Sequence, residues 1–222
     1  MNNMSKPTVT VDVVSDVVCP WCYLGKARLE HAVAALPDLN VAIRWRPYQL
    51  DPSVPPEGMS RKEYVEKKFG SLAALDEAHK RLEAMGQAEG IAYAFDRITR
   101  SPNTIDAHRL VRWAAAEGKE SDVVTRLFAA NFTEGRDVGD RATLADIAGE
   151  AGMDRDAVAA RLATTEDRDA VLAEINEAYR LGVTGVPTFI LAERYGVVGA
   201  QSVETLVDAI RQVAEKTAQP AA

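Results

Sequence analysis

Two cysteines occur in the 222-residue chain, Cys19 and Cys22, set three apart around Pro20 and Trp21. Two cysteines scattered at random over such a length fall at that separation about once in a hundred arrangements, so the spacing is informative. A Cys-x-x-Cys pair can hold a metal or exchange disulfides. A structural zinc site takes four ligands. The chain offers no second cysteine pair, and His31, His79 and His108 stand at no finger-like spacing, so no metal is expected. Two cysteines merely filling core is the bland reading, and Pro-Trp between them at a helix start is poor core material.

The flanking residues assign the two thiols different work. Thr8 to Val13 alternates polar and β-branched apolar residues, the period of a strand. From Cys22 the period changes: Cys22, Leu29, Val33 and Leu36 fall on one helical stripe that ends before Pro37. Pro20 suits the first helical position, where its missing N–H is no loss, which leaves Cys19 at the helix N-terminus. Unpaired backbone donors and the positive end of the helix dipole there favour a thiolate, so Cys19 is the expected nucleophile. Cys22, one turn in and facing inward, is the expected resolving thiol. The chemistry is thiol–disulfide exchange through a mixed disulfide, with no cofactor required. Asp16, three residues before Cys19, can disfavour the thiolate, accept a proton, or be a solvated loop carboxylate.

Val41, Ile43 and Trp45 alternate with Ala42, Arg44 and Arg46, so a second strand completes a βαβ unit. Pro47, Pro52, Pro55 and Pro56 exclude regular structure and mark a linker. Helical periodicity then runs to about residue 163, with segments near 61–69, 71–86, 103–117, 119–132, 140–151 and 154–163 and glycines just past most of them. Thr165 is expected to open a further helix closed by Gly182. Thr188–Leu191 and Tyr195–Val198 read as paired strands, and Ser202 caps a last amphipathic helix with frayed final residues. Gly182 to Thr188 forms a second constellation, a two-glycine loop with Pro187 at a strand start. The expectation is an α/β fold in two parts: residues 8–52 and 165–217 form one discontinuous sheet domain, and 53–164 an all-helical insertion.

Hydrophobic residues make up 47% of the chain and charged residues 27%, as in ordinary globular proteins. A net charge of −7 argues against nucleic acid as a partner. No apolar run approaches the roughly 20 residues of a membrane span. Met1 to Thr10 carries neither a basic segment nor an apolar stretch, so a cytoplasmic location is expected.

Cys19-Pro20-Trp21-Cys22-Tyr23-Leu24-Gly25 after a strand, the helical insertion, and Gly185-Val186-Pro187-Thr188-Phe189 together resemble the DsbA family of thiol oxidoreductases in its FrnE-like branch, within the thioredoxin superfamily. The resemblance covers nearly the whole chain. It implies a thioredoxin-like fold interrupted by a helical domain and a cis Pro187. It further implies that Trp21, Val186 and Pro187 position substrate, with Val186 offering its backbone, and that Pro20 and Trp21 tune the redox potential. Ser101-Pro102-Asn103-Thr104, Ala107-His108-Arg109 and Phe132 to Asp137 are similar to segments of 2-hydroxychromene-2-carboxylate isomerases and kappa-class glutathione transferases. In those enzymes a serine usually takes the place of Cys19, so this chain departs from them at the decisive position. Asn103 is read either as a helix N-cap, with Asp106 in a capping-box-like arrangement, or as a contact to a glutathione-like or peptide ligand.

The leading expectation is a thiol–disulfide oxidoreductase acting on disulfide- or thiol-containing proteins or small molecules, with glutathione a candidate co-substrate. In a reducing compartment it would rest as the dithiol and work as a reductase or isomerase. The alternatives are a glutathione-dependent isomerase or transferase, and a holdase-type chaperone that uses an apolar cleft between the domains.

Overall fold

The computed structural model describes residues 6–218; the expected frayed end lies outside them, as do the first five residues of the N-terminal segment. Strand β1 (Thr8–Ser15) leads into helix α1 (Pro20–Ala34), which returns the chain to β2 (Asn40–Pro47). β2 runs parallel to β1 with Thr8 opposite Asn40 and Ser15 opposite Pro47. Near the other end of the chain, β5 (Thr188–Leu191) pairs antiparallel with β1, and β6 (Tyr195–Val198) folds back on β5. The sheet order is β2-β1-β5-β6, so its central strands come from opposite ends of the sequence.

Central position explains the composition of β1. Val11 and Val13 share a core with Leu29 of α1 and with Leu206 and Ile210 of α9 (Val203–Ala218). Val14, on the other face of the strand, packs with Ala178 of α8 (Arg168–Arg180). Among the polar residues of the strand, Asp12 is buried and bonds the guanidinium groups of Arg44 and Arg46 at 2.6–2.8 Å.

Between β2 and α8 lies the helical insertion: α2 (Arg61–Phe69), α3 (Asp76–Ala88), α4 (Ile105–Ala116), α5 (Glu120–Ala129), α6 (Arg141–Glu150) and α7 (Arg155–Leu162). A two-residue ladder adds to these helices, with β3 (Met59–Ser60) antiparallel to β4 (Arg100–Ser101). The run expected over 71–86 divides, because Ser71 caps a separate 3₁₀ turn, Leu72–Leu75, ahead of α3. The run expected to residue 132 ends as α-helix at Ala129 and continues as a π-helical turn, Ala130–Glu134. There the Ala130 and Phe132 carbonyls accept from Arg136 N and Ala94 N. Gly135 closes the turn at φ 72°, where a Cβ would stand 2.6 Å from Arg97. Among the described residues no helix is long and apolar enough to cross a membrane.

The proline-rich segment after β2 is a fixed wall rather than a passive linker. Its Leu50 N–H is held by Asp16 at 2.8 Å, its Gln49 carbonyl by the Tyr179 hydroxyl at 2.7 Å, and its Val54 carbonyl by Asn103 at 2.8 Å. The last helix of the expected set also shifts. α8 starts at Arg168, with Asp167 before it at φ 58°, instead of opening at Thr165. The cause is Arg109 of α4, 1% exposed, whose guanidinium gathers the carbonyls of Arg161, Thr164 and Glu166. The same guanidinium reaches Asp106 at 2.8 Å and lies 4.9 Å from the Trp113 ring, which Arg161 also covers at 4.1 Å.

Replacing Arg109 strands those carbonyls in the interior. Arg109→Ala is expected to cost about 3–5 kcal/mol in urea unfolding. Arg141→Ala, which removes an exposed partner of the same Asp106, should cost no more than about 1 kcal/mol.

Candidate active site

Cys19 is the residue that caps α1. Its backbone is extended (φ −92°, ψ 112°), Pro20 follows in the first helical turn, and the Cys19 carbonyl accepts from Cys22 N at 3.0 Å. Its own N–H donates to the Asp16 carbonyl at 3.0 Å, so the turn before the helix is closed as well. The Cys19 thiol points to the Val186 carbonyl at 3.6 Å. Both cysteines are free, at 3% and 1% exposure. Burial, and next the adjoining Cys19 thiol, push the Cys22 thiol well above its ordinary range, against smaller opposing contributions from the Ser15 side chain and the Asp16 backbone. Cys19 borders a cleft, and Cys22 is not among the residues lining it.

The loop facing the pair carries a cis Val186–Pro187 bond. Gly25 of α1 lets it approach: a Cβ at Gly25 would stand 2.9 Å from the Pro187 ring and 3.2 Å from Phe189. From the other side the insertion grips the helix start. The Tyr93 hydroxyl donates to the Pro20 carbonyl at 2.6 Å. Burial and the neighbouring Tyr23, Cys19 and Cys22 raise the Tyr93 phenol far above its usual range, so it remains a donor. Tyr93 stacks on Phe95, and Tyr23 of α1 stacks on Phe128 of α5 at 5.2 Å between centroids. Sequence reasoning missed Tyr93, because no local pattern marks a tyrosine whose partner lies 73 residues away.

The cleft, about 470 Å³, runs between the Cys19 turn and the insertion. Trp21, Val186 and Gly185 contribute from the thioredoxin-like side, and Phe95, Asn131 and Phe132 from the insertion. Asp16, read as a candidate solvated carboxylate, is 1% exposed. One of its oxygens accepts from Leu50 N, and the other lies 3.5 Å from Nε2 of His108, a ring nitrogen also 2.9 Å from the Tyr48 carbonyl. Asn103 does not line this cleft. Its Nδ2 donates to the Val54 carbonyl and its Oδ1 accepts from Ile105 N at 3.2 Å, from one residue before the Thr104 cap. Asp106 is engaged by Arg109 and Arg141, so no reciprocal capping box forms. Asn103 thus spends one amide N–H and one oxygen lone pair on backbone partners and stands outside the residues lining the Cys19 cleft. Among the described residues no three His, Cys, Asp or Glu side chains converge as a metal site.

Two measurements test this geometry. Gly25→Ala should cost about 1–3 kcal/mol through overpacking against Pro187, whereas Gly185→Ala, with nothing within 4 Å of its added Cβ, should change urea midpoints little. Asp51, on the cleft wall, supplies a pH test. Burial pushes its carboxyl up, but hydrogen bonds from Ser53 and the Lys68 ammonium outweigh this and hold it at about 2, against an ordinary 3.8. A lowered folded-state value stabilises above the ordinary one and is lost as pH falls through the folded one. Asp51→Asn should therefore lower stability at pH 7, with the gap to the parent closing between about pH 4 and pH 2.

Comparison with known proteins agrees with this architecture. The model of the family described as DSBA-like thioredoxin domain matches residues 10–211. A probable DsbA oxidoreductase from Streptomyces coelicolor is 36% identical, with a TM-score of 0.87 over 96% of this chain and 93% of that one. At identities that show likeness of fold alone, a 2-hydroxychromene-2-carboxylate isomerase superposes with a TM-score of 0.71 (21% identity, 94% and 98% covered). The cytosolic disulfide reductase DsbM from Pseudomonas aeruginosa with glutathione does so with 0.62 (20% identity, 94% and 97% covered). A dithiol at the head of α1, a sheet built from both ends of the chain and a family match over most of its length together place the protein: it belongs to the DSBA-like thioredoxin domain family.

Proposed function

We propose that the protein is a thiol–disulfide oxidoreductase that uses the Cys19–Cys22 pair on disulfides entering the cleft. The observation that carries this reading is the asymmetry of the pair: Cys19 heads the helix at the cleft wall, and Cys22 lies one turn behind it, buried and held as a thiol. In the reductive direction the Cys19 thiolate attacks a substrate disulfide, forming a Cys19–substrate disulfide and releasing the first substrate thiolate. Cys22 then loses its proton and attacks the Cys19 sulfur, releasing the second thiolate. Two electrons pass to the substrate and two protons end on its thiols, leaving a Cys19–Cys22 disulfide. The oxidative direction reverses each step, and no cofactor enters.

Val186 and Pro187 position substrate in this scheme. The Val186 carbonyl, now facing the Cys19 thiol, is the acceptor an extended substrate backbone would take. Pro20 and Trp21 tune the potential by fixing the turn between the sulfurs. We assign residues 8–52 and 165–217 to the thioredoxin-like domain and 53–164 to the insertion, in keeping with the sheet order. Glutathione is proposed as reductant or co-substrate, supported by the fold it shares with a disulfide reductase solved with glutathione. With a cytoplasmic location, a reducing glutathione pool sets the working direction toward reduction or isomerisation.

Equilibration against graded glutathione buffers, with free thiols alkylated and intact mass recorded, tests the proposal. The expected result is a reversible loss of two hydrogens with a two-electron dependence, abolished in Cys19→Ser, while Cys22→Ser accumulates a mixed disulfide on Cys19. A stable Cys19–glutathione adduct without an intramolecular disulfide in the parent protein would sink the dithiol mechanism and favour glutathione-dependent isomerase or transferase chemistry.

A further inference from the structure

Of the lysine and arginine side chains described at the cleft wall, all but one have a partner. Lys68 pairs with Asp51 at 3.0 Å and also meets the Tyr64 hydroxyl. Arg100 donates to the Glu57 carbonyl at 2.6 Å and lies 3.5 Å from Asp137. Asp16 accepts from Leu50 N through one oxygen, while the other is buried without a hydrogen-bond partner among the described residues, 3.5 Å from His108 Nε2. Arg61 also lines the cleft, and its guanidinium makes no hydrogen bond or ion pair with any described residue. Its backbone is fixed, since Arg61 N donates to the Thr99 carbonyl at 2.9 Å beside the β3–β4 ladder and Ser60 caps the helix it opens. The side chain is half-buried, and burial works against its charge without a partner to offset the cost. Beside it, His79 stacks on Phe95 at 4.0 Å and is itself disfavoured as a cation by burial and by Arg61.

The remaining surface is apolar in large part: Leu50, Val54, Phe69, Leu75, Leu82 and Ile98 line the same space. About 470 Å³ falls in the range of roughly 300–1,000 Å³ that small ligands occupy. An unpaired guanidinium in a mostly apolar pocket is the complement of a carboxylate on an apolar body, because the planar fork binds a carboxylate bidentately and gains most where water is scarce.

We infer that Arg61 is a carboxylate receptor, and that the cleft selects low-molecular-weight disulfides or thiols with an apolar body and a carboxylate, placing their sulfur at Cys19. The inference names the substrate class and rests on the exchange reading above, so its test has one arm that needs no exchange.

In the kinetic arm, the reduced protein is mixed with 5,5′-dithiobis(2-nitrobenzoate), an aromatic dicarboxylate disulfide, or with uncharged 2,2′-dithiodipyridine. Arg61→Gln should slow the first reaction at least about tenfold and leave the second within about twofold, with Arg61→Lys in between. In the binding arm, calorimetry with 5-methylthio-2-nitrobenzoate and its methyl ester, neither of which can exchange, should show the acid bound at least about tenfold tighter, a preference absent in Arg61→Gln. Acid and ester bound alike, or a preference that survives Arg61→Gln, would overturn the receptor. Failure of both disulfides to react with the parent protein, alongside an Arg61-dependent acid preference, would overturn the exchange reading and leave the receptor standing.

Discussion

Everything in the site depends on how the first turn of α1 is clamped. Its N-terminal residue is the proposed nucleophile, so any tilt of the helix start moves the Cys19 sulfur directly. Three bonds from three parts of the chain prevent that: Asp16 O holds Cys19 N, Val186 O faces the Cys19 thiol, and the Tyr93 hydroxyl holds Pro20 O. The last comes from the insertion and the second from the far end of the sheet. A reactive group at a helix N-terminus is ordinary physics; positioning it from both parts of the fold makes the insertion part of the site instead of an appendage.

The same logic governs the buried polar groups. Arg109 is almost completely hidden, yet it satisfies three carbonyls and a carboxylate where the insertion chain turns back toward the sheet. Asp16 spends one oxygen on Leu50 N and so fixes the proline-rich wall of the cleft. Polar groups removed from water must find partners or cost free energy, and here the partners are loop backbones that would otherwise be free to move.

What could be read in the sequence follows from the range of the interactions involved. β1 and β2 are visible because β-branched residues recur with the sheet's own period, β5 because it is a short continuous apolar run, and α1 because Pro20 marks its start and Pro37 its limit. The roles proposed for Cys19 and Cys22 rest on three residues of spacing and one helical turn. Tyr93, Arg109 and the burial of Asp16 are invisible for the opposite reason, since each acquires its role from a partner dozens of residues away. The late start of α8 is the same case: Thr165 is a plausible cap until Arg109 claims the carbonyls around it. Asn103 shows the converse, a residue in a suggestive segment whose amide holds two backbone groups, the Val54 carbonyl and the Ile105 N–H.

Because β5 sits beside β1 at the centre of the sheet, the order in which the chain leaves the ribosome matters. The cysteine-bearing helix and its two parallel strands emerge first, and the whole insertion follows before Thr188–Leu191 arrives to complete the sheet and bring Val186 against Cys19. Pairings so distant in sequence form late, after the loop-closure entropy has been met. During synthesis the dithiol therefore lacks the carbonyl it finally faces and much of the cover that buries Cys22, and the thiols are exposed to whatever oxidant is present. The nascent chain's redox chemistry is that of two accessible cysteines, and the paired, asymmetric site is a property that only the finished polypeptide acquires.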